Sequence, residues 1–85
     1  MKPEEIKTTV RSFILRESLP GEDPSQLLDD LPLISGRILD SLATLKLVAF
    51  LEESFGFEFA AHEVGPANLN TIDLITDFVV SRTKK

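Results

Sequence analysis

The sequence contains no cysteine, which excludes a disulfide, a thiolate metal site and a cysteine nucleophile. A thiol, if the protein uses one, must therefore come from a group added to the chain. Long apolar runs are also missing, since none approaches the roughly 20 residues that cross a membrane as a helix. Residues 1–5 lack the features of a signal peptide, so we expect no membrane segment and a cytoplasmic protein.

Basic residues and histidine are scarce. Nine lysines and arginines face 14 acidic residues, a formal net charge of −5, which makes nucleic acid a poor partner and a basic protein surface a suitable one. The only histidine, His62, lacks partners in the order of a catalytic triad or a metal site, so we predict a surface or packing role. Asp29 and Asp30 lack a third ligand at a useful spacing and favour a solvated turn over a metal site. Because no base, nucleophile and orienting residue occur together, we predict that the protein is not an enzyme.

The size and the hydrophobic pattern predict an all-α fold. A chain of 85 residues with 42% hydrophobic content suits one small domain, which we place over residues 1–85. We predict a monomeric bundle of three main helices plus a short fourth helix, with a long loop between the first and second helices.

The first helix is predicted to begin near Pro3 and to stop at Pro20 and Gly21. Its apolar residues have the spacing of a buried stripe, and its basic residues are interpreted as a solvated face. The stripe is Ile6, Val10, Phe13 and Ile14, and the basic residues are Lys7, Arg11 and Arg16. The loop over residues 18–39 is expected to lie across the bundle on five apolar anchors: Leu27, Leu28, Leu31, Leu33 and Ile34.

The C-terminal third is predicted to contain one helical turn and the last helix. Residues 60–64 suit a single turn that Gly65 and Pro66 break, and Thr71 suits the N-cap of the last helix. Residues 81–85 are interpreted as a basic, frayed tail. Phe57 and Phe59 are expected to close the end of the bundle. The residues predicted to form the core side of the last helix are Ile72, Ile75, Phe78 and Val79.

The most informative stretch is Leu39-Asp40-Ser41-Leu42 and the helix predicted to follow it to about Phe55, where Gly56 suits the C-cap. Asp40 is a good N-cap, which leaves Ser41 at the first helical position with its hydroxyl toward solvent. A phosphate ester on that hydroxyl would lie beside unpaired N–H donors and the positive end of the helix dipole.

This second helix has apolar residues on two faces. One face suits the core, whereas the opposite face has no second core to bury it in so small a domain, and we interpret it as a docking surface. The alternative is that Asp-Ser-Leu is a common tripeptide and the helix lies deep in the bundle, and the pattern alone leaves both open. The core face is Thr44, Leu47, Val48, Leu51 and Phe55, and the docking face is Leu42, Leu45 and Ala49, bordered by Lys46, Glu52 and Glu53.

Residues 33–42, LISGRILDSL, together with Leu45, Leu47, Val48 and LEESF at residues 51–55, resemble an acyl or peptidyl carrier protein. NLNTI at residues 68–72 is similar to the beginning of that family's last helix. The resemblance extends over roughly residues 6–80. It implies that Ser41, between Asp40 and Leu42, carries 4′-phosphopantetheine through a phosphodiester.

The resemblance therefore implies a freestanding carrier that holds an acyl or aminoacyl group as a thioester. The implied partners are a phosphopantetheinyl transferase, an acyl- or aminoacyl-activating ligase, and downstream condensing or transferase enzymes. The alternative is a small helical protein-interaction module without a prosthetic group, in which Ser41 only helps to cap the helix. Modification of Ser41 separates the two hypotheses.

The sequence departs from the commonest fatty-acid carriers after Ser41, where Ala43 and Lys46 replace residues that are often acidic. Residues 40–55 have a net charge of −2, from three acids and one lysine. A lysine in the docking face would repel the basic patches that recognise strongly acidic carriers. We therefore predict a dedicated pathway, such as amino-acid loading or polyketide or nonribosomal assembly, in place of bulk fatty-acid synthesis.

Overall fold

The computed structural model describes residues 2–19, 21, 23 and 27–83. This part of the chain is helical and contains no strand, in agreement with the predicted all-α class. The α-helices are α1 (Pro3–Ser18), α2 (Ser41–Phe55), α3 (Pro66–Leu69) and α4 (Ile72–Thr83), and a 3₁₀ turn covers Ala61–Glu63.

The core lies between α1, α2 and α4, which contact one another directly. The predicted stripe of α1 is buried, and Phe13 stacks on Phe50 of α2 with ring centroids 4.2 Å apart. The sequence pattern does not assign Phe50 to either face of α2. The helix α1 ends at Ser18, close to the stop predicted at Pro20 and Gly21. Pro20 itself lies outside the described residues. The fully buried side chains include Ile6, Val10, Ile14, Leu27, Leu33, Leu47, Leu51, Leu69, Ile72, Ile75 and Val79.

The basic residues of α1 are not simply a solvated face, so that prediction is wrong for two of them. Lys7 forms ion pairs with Asp29 at 3.1 Å and with Asp73 at 3.0 Å, and Arg11 also pairs with Asp29. The hydrogen bonds to Asp73 and Asp29 raise the pKa of Lys7 above its ordinary value, because they stabilise its charged form. Arg16 is exposed, as predicted. These ion pairs attach the long loop to α1, and α1 to α4.

Four of the five predicted loop anchors are buried or half-buried. Leu27 and Leu33 are buried, and Leu31 and Ile34 pack against the core. Leu28 is 57% exposed, so its assignment as an anchor is wrong. Asp29 and Asp30 lie in a turn, as predicted, although Asp29 is half-buried by its two basic partners. Within the described residues, no group of three or more potential metal ligands occurs.

The aromatic residues after α2 close one end of the bundle, as predicted. Gly56 ends α2 with a left-handed φ of 72°, which glycine adopts without steric cost. The chain then folds back so that Phe59 stacks on Phe78 of α4, with ring centroids 4.7 Å apart. Phe57 lies beside both rings, and all three side chains are half-buried.

The segment before α4 differs in detail from the prediction. The predicted turn is present as Ala61–Glu63, but Gly65 and Pro66 begin α3 instead of only breaking the chain. Proline suits the first position of a helix because its missing N–H would have no helical partner there. His62 is exposed, in agreement with its predicted role.

The helix α4 begins where the sequence predicts. The hydroxyl of Thr71 accepts a hydrogen bond from the Leu74 amide at 3.0 Å, which confirms Thr71 as the N-cap. Residues 81–83 belong to α4, so the prediction of a frayed tail is wrong for them, and Lys84 and Lys85 lie outside the described residues.

Candidate functional site

The N-terminus of α2 has the predicted cap. The Asp40 carboxylate accepts a hydrogen bond from the Ala43 amide at 2.8 Å. Its backbone carbonyl accepts from both the amide and the hydroxyl of Thr44, at 2.9 and 2.8 Å. Ser41 is therefore the first residue of α2, and it is exposed.

The first turn of α2 favours a negative charge near Ser41. The amides of Ser41 and Leu42 precede the first helical hydrogen bond and have no carbonyl four residues earlier within the helix. The helix dipole adds partial positive charge at the same end. A phosphate ester at the Ser41 hydroxyl would thus be stabilised by the backbone itself.

A groove of about 570 Å³ opens beside Ser41. It lies between the start of α2, the end of the long loop and the start of α3. Most of its lining is apolar, and Arg37 contributes a positive charge from a backbone with a φ of 64°. The lining residues are Ile34, Arg37, Leu39, Asp40, Ser41, Thr44, Leu45, Val64, Gly65 and Pro66.

The two faces of α2 are separated as predicted. On the core face, Leu47 and Leu51 are fully buried. On the opposite face, Leu42 is 63% and Leu45 is 59% exposed, and Ala49 is exposed as well. The alternative in which this helix lies deep in the bundle on all sides is therefore wrong.

The charged border of the exposed face is less uniform than the sequence predicted. Lys46 and Glu53 are exposed, and in the described part of the chain neither forms an ion pair. Glu52 is half-buried, and its carboxylate accepts a hydrogen bond from the Phe59 amide at 2.8 Å. Glu52 thus stabilises the return of the chain after α2.

This chain is similar in sequence and in fold to known carrier proteins. Two curated D-alanyl carrier proteins, from Streptococcus suis strains 05ZYH33 and 98HAH33, are 33% and 32% identical over 76 residues, which cover 89% of this chain and 92% of each relative. This chain belongs to the acyl and peptidyl carrier proteins. The solved structure of KstB-PCP in its apo form matches this carrier with a TM-score of 0.74 and 32% identity, over 94% of this chain and 88% of that one. No family model matches the chain.

Membership of this family bears on two expectations. Carrier proteins are not enzymes, so the predicted lack of catalytic activity is confirmed. The family generally carries phosphopantetheine, and the residues of this carrier protein fit that group. Ser41 offers an exposed hydroxyl at a helix N-terminus, and the adjoining groove leaves room for a flexible arm. In the described part of the chain, no helix combines the length and apolarity of a membrane span.

Sequence reasoning missed the residue that links the Ser41 region of the carrier to α4. The side-chain oxygen of Asn70 accepts hydrogen bonds from the amides of Ile34 and Ser35, at 2.9 and 3.0 Å. Its backbone carbonyl accepts from the Leu33 amide at 2.6 Å. The only signal in the sequence was an asparagine directly before the N-cap Thr71, which does not indicate a partner 35 residues away.

The turn before Ser41 also requires a glycine at position 36. A β-carbon on Gly36 would lie 2.3 Å from the carbonyl oxygen of Pro32, far inside van der Waals contact. Gly36→Ala is therefore expected to lower the free energy of unfolding by about 1–3 kcal/mol, as overpacking does. Chemical denaturation measures this change.

Gly65→Ala is the matched control, since a β-carbon there meets nothing within 4 Å and the φ of 164° is open to any residue. It should cost no more than about 1 kcal/mol, through the poorer N-cap of α3. Equal losses for the two variants would show that contact with Pro32 does not constrain the turn.

Proposed function

We propose that this carrier protein bears 4′-phosphopantetheine on Ser41 and presents an acyl or aminoacyl group to partner enzymes. The observation that supports this most directly is Ser41 itself, an exposed serine at the first position of a capped helix, beside a groove. When attached, phosphopantetheine supplies the thiol that the cysteine-free chain lacks, on which the cargo is held as a thioester.

The surrounding residues have separate tasks in this proposal. Asp40 orders the first turn through Ala43, which keeps the Ser41 hydroxyl at a defined position in solvent. The free amides of the first turn and the helix dipole stabilise the phosphodiester charge. Arg37 adds a cation on the side of the groove, where it forms no ion pair with the described residues.

Intact mass spectrometry tests the proposal. The protein is incubated with coenzyme A and a promiscuous phosphopantetheinyl transferase, and a mass gain equal to one phosphopantetheine group is expected. A control without transferase should show no gain. If the wild-type protein never gains mass under these conditions, the carrier is not modified in this way and the interaction-module alternative regains support.

We further propose an aminoacyl or peptidyl cargo within a dedicated pathway. The names of the similar proteins, D-alanyl carrier protein and KstB-PCP, support this class of cargo. The replacement of acidic positions by Ala43 and Lys46 supports a partner set different from that of bulk fatty-acid carriers. The proposed partners are a phosphopantetheinyl transferase, an activating ligase and downstream condensing or transferase enzymes. We propose that the carrier itself is a cytoplasmic monomer whose single domain is formed by residues 1–85.

The exposed face of α2 is the proposed docking surface for these partners. Its apolar part is Leu42, Leu45 and Ala49, and the exposure of the two leucines supports this role. Lys46 and Glu53 supply exposed charge at its border, and Glu52 contributes at its half-buried edge. Ser41 lies at one end of this surface, so a docked enzyme would have the prosthetic arm within reach.

Lys46 is expected to select among partner enzymes. It lies about 40° around the helix from Leu42 and about 1.4 turns beyond Ser41. Lys46→Glu should change the free energy of unfolding by no more than about 0.5 kcal/mol, because the residue is exposed. The same change should slow loading by the cognate activating enzyme and improve recognition by enzymes of fatty-acid synthesis, since charge at an interface rim acts mainly on association. Loading rates at low and moderate salt measure both effects.

Lys2→Glu is the matched control for this charge reversal. Glu17 lines a hollow with Leu42 and Lys46, so the C-terminus of α1 lies beside the N-terminus of α2. Lys2 is at the other end of α1, roughly 22 Å from Glu17 along the helix. The Lys2→Glu substitution should therefore leave the loading rates with both enzyme types unchanged. If Lys46→Glu behaves like Lys2→Glu with both enzyme types, Lys46 does not select partners and the argument for a dedicated pathway weakens.

A further inference from the structure

Asn70 is connected to the segment before Ser41 through hydrogen bonds of its side chain and its backbone carbonyl. It accepts from three consecutive amides, those of Leu33, Ile34 and Ser35. Its side-chain amide also donates to the Ser35 hydroxyl at 3.2 Å. One residue at the junction of α3 and α4 therefore holds a whole turn of the long loop.

The same turn holds the residues directly before the N-cap of α2. The carbonyl of Leu33 accepts hydrogen bonds from the amides of Ile38 and Leu39, at 2.9 and 2.8 Å. Leu39 precedes Asp40, whose carboxylate caps α2. The backbone carbonyl of Asn70 thus holds Leu33, its side chain holds the next two residues, and Leu33 in turn holds Leu39, two residues before Ser41.

Within residues 33–39 the backbone forms no regular helix or strand that would order it by itself. Besides its bonds to Asn70, this segment forms local hydrogen bonds, such as that from the Arg37 amide to the Ile34 carbonyl at 3.0 Å. Ile34, Arg37 and Leu39 nevertheless form one wall of the groove beside Ser41. Burial of Leu33 and Leu39 holds this segment against the core. The directional hydrogen bonds to Asn70 determine how its backbone is oriented there.

We infer that Asn70 is a positioning residue for the modification of Ser41, acting through the turn at residues 33–39. This inference rests on the proposed function. In the reaction, the Ser41 oxygen forms a bond to the pantetheine-bearing phosphorus of coenzyme A. The bond from that phosphorus to adenosine bisphosphate breaks, adenosine bisphosphate leaves with the electron pair, and the serine proton passes to the transferase or solvent. Asn70 touches none of the reacting atoms.

The test compares four proteins: wild type, Asn70→Ala, Asn70→Asp and Asn68→Ala. Asn70→Ala removes both the acceptor and the donor of the side chain, whereas Asn70→Asp keeps an oxygen for the amides of Ile34 and Ser35. Asn68→Ala is the matched control, because among the described residues the Asn68 side chain donates only to the nearby Glu63 carbonyl. Steady-state modification by a phosphopantetheinyl transferase is measured at a temperature where circular dichroism shows every variant folded.

Asn70→Ala is expected to lower kcat/KM for modification at least roughly tenfold, since small displacements of reacting groups have effects of this size. Asn70→Asp should restore most of the rate, and Asn68→Ala should match wild type. Amide NMR shifts in the folded Asn70→Ala protein should change over residues 33–41. A role limited to stability would lower the melting temperature and leave kcat/KM of the folded protein unchanged.

Wild-type kcat/KM in folded Asn70→Ala would overturn the inference, and so would an equal loss in Asn68→Ala. If Asn70→Ala does not fold, Asn70→Gln decides the question, because it keeps the amide but displaces it by one methylene. A lower kcat/KM for Asn70→Gln supports the positioning role, and an unchanged value rejects it. Failure of the wild type to gain mass would instead contradict the proposed function, so the two failures are distinguishable.

Discussion

Ser41→Ala is expected to abolish the mass gain from coenzyme A completely, because alanine has no oxygen to form the phosphodiester. The variant should still fold. Asp40 continues to cap α2 through Ala43, and alanine is a good helix former at an exposed position. We therefore expect its free energy of unfolding to stay within about 0.5 kcal/mol of wild type.

Ser54→Ala is the matched control for this experiment. Ser54 is also an exposed serine of α2, but it lies in the last turn of the helix, away from the capped end. It should gain mass like the wild type. A gain that survives Ser41→Ala, or one that Ser54→Ala removes, would show that the prosthetic group is attached elsewhere.

Leu51→Ala and Leu47→Ala are each expected to lower the free energy of unfolding by about 2–5 kcal/mol. Both leucines are fully buried between α2 and the rest of the core, so truncation leaves a cavity that the bundle cannot fill completely. A domain of this size has a total stability of only about 4–13 kcal/mol, by the usual value per residue. Denaturation with urea should therefore show a clear shift of the midpoint.

Leu45→Ala and Leu42→Ala provide the comparison on the opposite face of the same helix. These side chains are more than half exposed, so their truncation should cost no more than about 0.5 kcal/mol. Work with partner enzymes should nevertheless be impaired, if this face is the docking surface. A loss of stability for Leu45→Ala equal to that of Leu51→Ala would mean that the exposed face is buried in solution.

The sequence was sufficient wherever the signal is local. Asp40 caps α2 by accepting from the Ala43 amide, and Thr71 caps α4 by accepting from the Leu74 amide, in each case three residues later. Gly56 ends α2. Such interactions depend on neighbours within one helical turn, so residue type and spacing predict them directly. The separation of the faces of α2 was predictable for the same reason, because 3.6 residues per turn determine which side chains share a side.

Other features depended on contacts between distant segments. The sequence did not indicate that Asn70 would hold the amides of residues 33–35, or that Asp29 would pair with Lys7 and Arg11. Surface lysines, arginines and asparagines are compatible with many partners, and only the packing of α1 against α4 and the long loop selects one.

For this carrier protein, the sequence by itself determined α1, α2 and α4, the cap of α2, which residues share each face of that helix and the position of Ser41 at its start. The tertiary structure alone decided how the turn before Ser41 is held, which residues line the groove, and which charged side chains form ion pairs. The physical reason is the separation along the chain between the residues that interact. Helix signals act over three or four residues, whereas the turn before Ser41 is held by a side chain 35 residues away, whose partners exist only after the bundle has formed.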